Sequence, residues 1–300
     1  MARSSIPNLN GALRMFLLRS YARIAPARFQ KRFVQNFLNP KRPLLIARQR
    51  PDLPPPDESM RIAVGGGIGL VSDTWVQAWR WGQGPAVLLV HGWEDDHHCF
   101  DAIIAALVKR GHAVVVFDLP AHGRSGGTQS TIPLAAQAVA GVAEAMGPIR
   151  AVAGHSLGGA AMTFAITEGW LDVERAVVVA APTGPTYMLN AIAKRFGMSE
   201  ESKEKLFEEL KRVVGYRPEE IELMPKLAQL EIPALIVHSK DDAMVRFITG
   251  QKWAASWPGA QLLALEKLGH RRLLFDPSTA GLISDFLVQR STVVPEVKVA

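Results

Sequence analysis

From about residue 60 onward, short and wholly apolar runs alternate with longer stretches whose apolar residues recur every three or four positions. Ala86-Val87-Leu88-Leu89-Val90 and Ala113-Val114-Val115-Val116-Phe117 have no polar face, as expected of parallel strands covered on both sides. The pattern predicts strands near 61–64, 75–81, 86–90, 113–117, 149–153, 175–181, 233–238 and 260–265, and helices near 98–109, 133–145, 157–168, 247–255 and 277–289. Strand and helix in alternation imply an α/β sheet with right-handed crossovers. The alternation lapses once, over about 50 residues between the strand ending near Ala181 and the one starting at Pro233, too long for an ordinary loop. This stretch holds a charged helical segment from Glu200 to Val214 and reads as a helical insertion.

The start of the chain follows another pattern. Leu13, Phe16, Leu17, Tyr21 and Ile24 recur at helical steps, and Phe29, Phe33, Val34 and Phe37 repeat them after Pro26, predicting two short amphipathic helices. Pro51 to Asp57, with three consecutive prolines, forms a stiff linker. The expected organisation is an arm and linker over 1–57, a core over 58–182 and 233–290, an inserted segment over 183–232, and a tail over 291–300. Neither an internal repeat nor a low-complexity tract is evident.

Charge sharpens the contrast between arm and body. The formal net charge is +6, yet residues 1–50 hold eleven Lys or Arg and no Asp or Glu, leaving 23 basic against 28 acidic residues, a net of −5, in the remainder. Basicity confined to the arm argues against a nucleic-acid partner for the whole protein. The leading expectation for the arm is packing against the acidic body, with Phe16, Leu17, Phe33 and Phe37 shielded. The alternatives are peripheral membrane contact through residues 1–50, or a transit peptide.

A length of 300 residues, 48% hydrophobic and 21% charged, suits a soluble globular protein. The single cysteine, Cys99, cannot form an internal disulfide and is expected to be a small buried hydrophobe. No window of about 20 residues stays apolar. Arg14 and Arg19 leave only Met15 to Leu18 as a signal-peptide core, so a cytoplasmic location is expected.

Several motifs fail. Gly65-Gly66-Gly67-Ile68-Gly69-Leu70 lacks the last glycine of a dinucleotide loop and is expected to be a turn between the first two strands, and no glycine precedes a lysine as in a Walker A loop. His91 to Cys99 has the composition of a metal site, but Trp93 and Asp96 stand where a metallo-hydrolase pattern needs histidine; no metal is expected.

One motif holds. Gly154-His155-Ser156-Leu157-Gly158 matches G-x-S-x-G between an apolar strand and an alanine-rich helix. In so tight a turn the residues two before and two after the serine must be small. The Ser156 backbone is then strained and its hydroxyl is held at the carboxyl edge of the sheet, beside a helix N-terminus that favours negative charge. A nucleophilic serine needs a base and a group that orients it. His270 follows the last strand and precedes the final helix, the best-placed of eight histidines, with His91 and His122 as alternatives. His238 reads as part of the acid's turn, and His155 should point away from the serine. The acid should follow Ala234 to Val237, where the pattern favours Asp242 over its neighbour Asp241.

Together these residues resemble the α/β-hydrolase superfamily over about residues 60–290. The order Ser, Asp, His is the family's. His91-Gly92-Trp93 matches its oxyanion loop, Asp118-Leu119-Pro120-Ala121-His122-Gly123-Arg124-Ser125 its D-x-P-x-H-G-x-S stretch, Asp242 to Val245 its acid turn, and Gly269-His270 with Asp276-Pro277 its histidine loop. The resemblance implies a mostly parallel eight-stranded sheet flanked by helices, with the insertion as a small helical cap. It also implies a serine hydrolase acting on a small-molecule acyl substrate, a carboxylic ester first, with no cofactor. Thioesters, lactones, amides, carbon-carbon bonds beside a ketone and acyl transfer to an alcohol fit the same residues, and a catalytically silent binding protein is the rival of another class. Trp93 and Leu157 are expected to supply the oxyanion-hole N–H groups, and Met188 and Phe196 of the cap to line an acyl pocket. Glu94-Asp95-Asp96, where small residues are common, disfavours anionic substrates.

Overall fold

The computed structural model describes residues 11–42, 53–65 and 73–289. The strands are β1 (Glu58–Val64), β2 (Thr74–Trp81), β3 (Ala86–Val90), β4 (Ala113–Phe117), β5 (Ile149–His155), β6 (Arg175–Val179), β7 (Ala234–Ser239) and β8 (Gln261–Leu265). The helices are α1 (Gly11–Ile24), α2 (Pro26–Phe37), α3 (Asp101–Lys109), α4 (Ile132–Met146), α5 (Leu157–Thr167), α6 (Thr186–Phe196), α7 (Glu200–Val214), α8 (Met224–Leu227), α9 (Phe247–Ser256) and α10 (Pro277–Val288). The eight strands form one sheet in the order β1-β2-β4-β3-β5-β6-β7-β8, in which β2 runs antiparallel to both neighbours and β3 to β8 are parallel.

The apolar runs are continuous because both faces of the sheet are buried. Leu88, Val115, Phe117 and Val178 face a core completed by α4, α5 and α9, while Val87, Leu89, Val114, Val116, Val177 and Val179 face one completed by α3 and α10. Cys99 lies in the second core, where burial raises its thiol pKa. Capping sets several helix starts: the Thr131 hydroxyl accepts from the Leu134 amide ahead of α4, and Asp276 from that of Thr279 ahead of α10, each with proline at the first positions. The strand expected to reach Ala181 ends at Val179, because Ala180 turns to φ 48°. The helix expected from residue 98 starts as a 3₁₀ turn, His97–Phe100.

Between β6 and β7 the chain forms α6, α7, a 3₁₀ turn at Pro218–Ile221 and α8. Leu189, Leu206, Phe207, Leu210 and Ile221 are buried there and join the first core. The expected glycine turn lies outside the described residues beyond Gly65, as does the start of the proline linker. The linker's described end is tied to β2, with Trp81 Nε1 donating to the Pro54 carbonyl at 2.8 Å and the Gly82 amide to Asp57 at 2.6 Å.

The arm divides into two parts. α2 seats on α7: Phe29 is buried and meets Phe196 edge-on with ring centroids 5.2 Å apart, Phe33 and Phe37 are half-buried, and Gln30 Nε2 donates to the Ser202 carbonyl at 2.9 Å. Val34 and Leu38 enter the main core. α1 departs from the expectation, since Phe16 and Leu17 are exposed rather than shielded. The reason is rotation: α1 turns Ala22 inward, leaving the opposite face uncovered. Among the described residues, no helix is long and apolar enough to cross a membrane.

Candidate functional site

The site is built where β5 runs into α5. Ser156, between them, takes φ 51° and ψ −118°, a conformation costing an L residue about 1–3 kcal/mol unless its surroundings hold it. Those surroundings are backbone. The Ser156 amide donates to the Val179 carbonyl at 2.8 Å, and a Cβ on Gly154 would stand 2.6 Å from the Gly158 carbonyl carbon. A Cβ on Gly158 would overlap the Val90 and His91 carbonyls. Both glycines are thus required by the close approach of strand, elbow and helix.

The residues expected as acid and base come from the ends of the last two strands, β7 and β8. Asp242, after β7, and His270, after β8, are both buried, and His270 Nδ1 donates to Asp242 Oδ2 at 2.7 Å. That bond leaves the lone pair on His270 Nε2, the nitrogen able to take a proton from a hydroxyl. The Met244 and Val245 amides donate to Asp242 Oδ1 at 2.8 and 2.9 Å. Burial alone would raise the Asp242 pKa, but hydrogen bonds from His238, His270 and the Val245 amide together hold the carboxyl well below the usual carboxylate range. His238 belongs to this turn, donating to the Val245 carbonyl at 2.8 Å.

His270 is tied to the elbow by the residue before the serine. His155 Nε2 donates to the His270 carbonyl at 2.8 Å, and the two rings lie 4.8 Å apart. Burial, then the neighbouring His270, pushes the His155 pKa down to about 3, so this imidazole is neutral. Arg271 was not singled out from the sequence, yet its guanidinium donates to the Trp93 and Glu94 carbonyls at 3.1 and 3.3 Å and lies 3.8 Å from Asp95. It fastens the histidine loop to the loop after β3. The serine motif drew attention to His155 but not to its partner, and only the family spacing around Gly269-His270 could have pointed to Arg271, because both contacts join distant parts of the chain.

The loop after β3 passes directly over the serine, since a Cβ on Gly92 would lie 3.0 Å from Ser156 Cβ. Trp93, next along, and Leu157, the first residue of α5 directly after Ser156, are both half-buried. The amides of the first turn of α5 have no acceptor within the helix. His91 cannot serve as the base, because Nδ1 donates to the Gly92 carbonyl and Nε2 accepts from the Leu119 amide, both at 2.8 Å. His122 donates through Nδ1 to the Pro120 carbonyl and packs edge-on against Trp93, and burial with the neighbouring His91 lowers its pKa to about 3. His97 and His98 are hydrogen-bonded to Asp118 and Asp101, and no group of side chains suited to a metal ion occurs among the described residues.

Of the two residues expected to line an acyl pocket, Met188 is about half exposed on α6, while Phe196 packs against Phe29 and Phe33 of α2. The contacts of Phe196 thus serve the seat of the arm.

A model described as the alpha/beta hydrolase family matches residues 87–280, spanning β3 through the histidine loop and into α10. The chain belongs to the α/β-hydrolase family. Solved α/β-hydrolase-like structures agree in fold. Mouse alpha/beta hydrolase domain-containing protein 10 superposes with a TM-score of 0.59 at 16% identity, covering 76% of this chain and 96% of that one. A thermophilic esterase from Thermogutta terrifontis gives 0.57 at 19% identity, covering 77% and 98%, and a bromoperoxidase from Bacillus anthracis 0.57 at 16% identity, covering 77% and 99%. At such identities the likeness is one of fold. A comparison with curated proteins gave no match.

Proposed function

We propose that this α/β hydrolase cleaves carboxylic esters through an acyl-enzyme on Ser156. The observation that carries the reading is the 2.7 Å bond from His270 Nδ1 to a buried, ionised Asp242, on a histidine whose carbonyl is held by the residue preceding the strained serine. In the first step His270 Nε2 takes the Ser156 proton while Oγ attacks the acyl carbon; the resulting oxyanion is met by the Trp93 and Leu157 amides. The imidazolium then protonates the departing alkoxide. In the second step His270 removes a proton from water, hydroxide adds to the acyl-enzyme, and collapse returns the proton to Ser156 Oγ. Asp242 keeps the imidazole in the required tautomer and balances its charge. No step calls for a cofactor.

The half-buried acidic loop after β3 favours neutral acyl groups. Burial raises the Asp95 pKa, with Arg271 opposing, and the Arg271 guanidinium 3.8 Å away balances part of that loop's charge.

A fluorophosphonate probe is expected to label Ser156 in the wild type and nothing in Ser156→Ala, with kcat on an ester falling by about 10⁴ or more. Turnover of a matched panel of acyl esters, thioesters and lactones then tests the bond type. Undiminished labelling of Ser156→Ala overturns the nucleophile, and faster turnover of a thioester or lactone overturns the ester assignment.

A further inference from the structure

The two helices of the arm end in different surroundings. At 100° per residue, Leu13, Phe16, Leu17 and Ile24 of α1 fall within about 100° of one another around the helix axis. They are 45, 64, 47 and 83% exposed, whereas Ala22 on the opposite side is 7% exposed. α1 packs on α2 and on α6, where Arg19 Nε donates to the Arg195 carbonyl at 3.0 Å, yet the apolar stripe on its far side stays largely exposed among the described residues.

Charge identifies what would cover it. The solvent face of α7 pairs its own charges, Lys203 with Glu200, Lys205 with Glu201 and Arg212 with Glu209, while Arg217 just beyond it reaches Glu204 and Glu208. Arg19, Arg23, Arg28, Lys31 and Arg32 of the arm are exposed, and none has a carboxylate at ion-pair distance among the described residues. Lys31 acts on Glu209 only at longer range. Among the described residues, the acidic body thus leaves these five cations without an ion-pair partner. Arg19 and Arg23 follow the stripe along one side of α1. A second copy of the chain laid on this stripe would bring like charges together. An anionic bilayer supplies both missing partners: an interfacial layer for the apolar stripe and a negative surface potential for the cations around it.

We propose that α1 is a docking surface for anionic lipid membranes, joined to the body through its contacts with α2 and α6. The proposal goes beyond the hydrolase reading and does not depend on it.

The test uses the full chain and sedimentation with vesicles of phosphatidylcholine plus phosphatidylserine, against pure phosphatidylcholine. The intact protein is expected to pellet with the anionic vesicles and to be released by added salt. Arg23→Gln/Arg28→Gln/Arg32→Gln should weaken binding by about fivefold per cation removed. Phe16→Ser/Leu17→Ser should weaken it by at least about tenfold, because it strips two large side chains from the stripe. All these positions are exposed, so thermal melts should match the wild type, and the salt series on the unsubstituted chain reads the charge contribution without any variant. The proposal is overturned if the intact protein stays in the supernatant, if Phe16→Ser/Leu17→Ser binds as well as the wild type, or if the stripe instead drives self-association that the same double variant abolishes.

Discussion

Asp241 and Asp242 are adjacent carboxylates in opposite surroundings. Asp242 is buried and receives His270 and two amides, whereas Asp241 is exposed and accepts from the Ser239 hydroxyl and, at 3.1 Å, the Gly269 amide. In the proposed mechanism, Asp242→Asn leaves the imidazole in the wrong tautomer and is expected to lower kcat by about 10⁴. Asp241→Asn keeps an acceptor for Gly269 and should cost less than about tenfold, because at this exposed site water can replace what the carboxylate gives up. Steady-state kinetics of the two variants on one ester decide it, and the reverse order would move the acid to Asp241. That His270 bonds to Asp242 and not to Asp241 could be anticipated because a turn aspartate three before a valine is a local pattern. The grip of His155 on the His270 carbonyl spans 115 residues and leaves no local trace.

At the scale of elements, the elbow stores strain that folding alone does not require. A glycine at 156 would take φ 51° without a Cβ penalty, against about 0.5–1 kcal/mol of extra chain entropy to lose. Ser156→Gly is therefore expected to abolish the proposed activity while stabilising the fold by about 1 kcal/mol, read as a rise in Tm of about 2–4 °C. A lower Tm would mean that the serine side chain contributes more than its backbone costs. The elbow was readable because Gly154 and Gly158 sit at fixed offsets from the serine, and the strands because apolar runs buried on both faces are unambiguous. The insertion was readable from length alone. The seat of the arm was not: helical spacing reveals that α1 and α2 each have an apolar face, but not that α7, some 170 residues on, covers one of them and leaves the other.

Across the whole molecule, buried neutral imidazoles shape the response to acid. His122 and His155 are each about 1% exposed with pKa values lowered to about 3 by burial first and by a neighbouring histidine second, and His91 is lowered in the same direction. The unfolded chain, with histidines near 6.5, binds more protons between those limits, so stability is full above about pH 6.5 and falls as pH drops, by about 1.4 kcal/mol per pH unit for each such histidine. Asp242, held below its unfolded value, adds loss only below about pH 4. Melts from pH 8 to 5 should show Tm declining below about pH 6.5, and His122→Asn should flatten that decline; a level profile would contradict the burial of these rings as neutral species.

The pairing of α2 with α7 also has a meaning in time. Gln30 finds its partner Ser202 172 residues further along the chain. At ribosomal rates of about 5–20 residues per second, a nascent arm waits roughly 10–30 s after emerging before its binding partner has been synthesised. These helices are made long before the helix that seats them, and throughout that interval their aromatic side chains are open to any chaperone or bilayer near the tunnel exit.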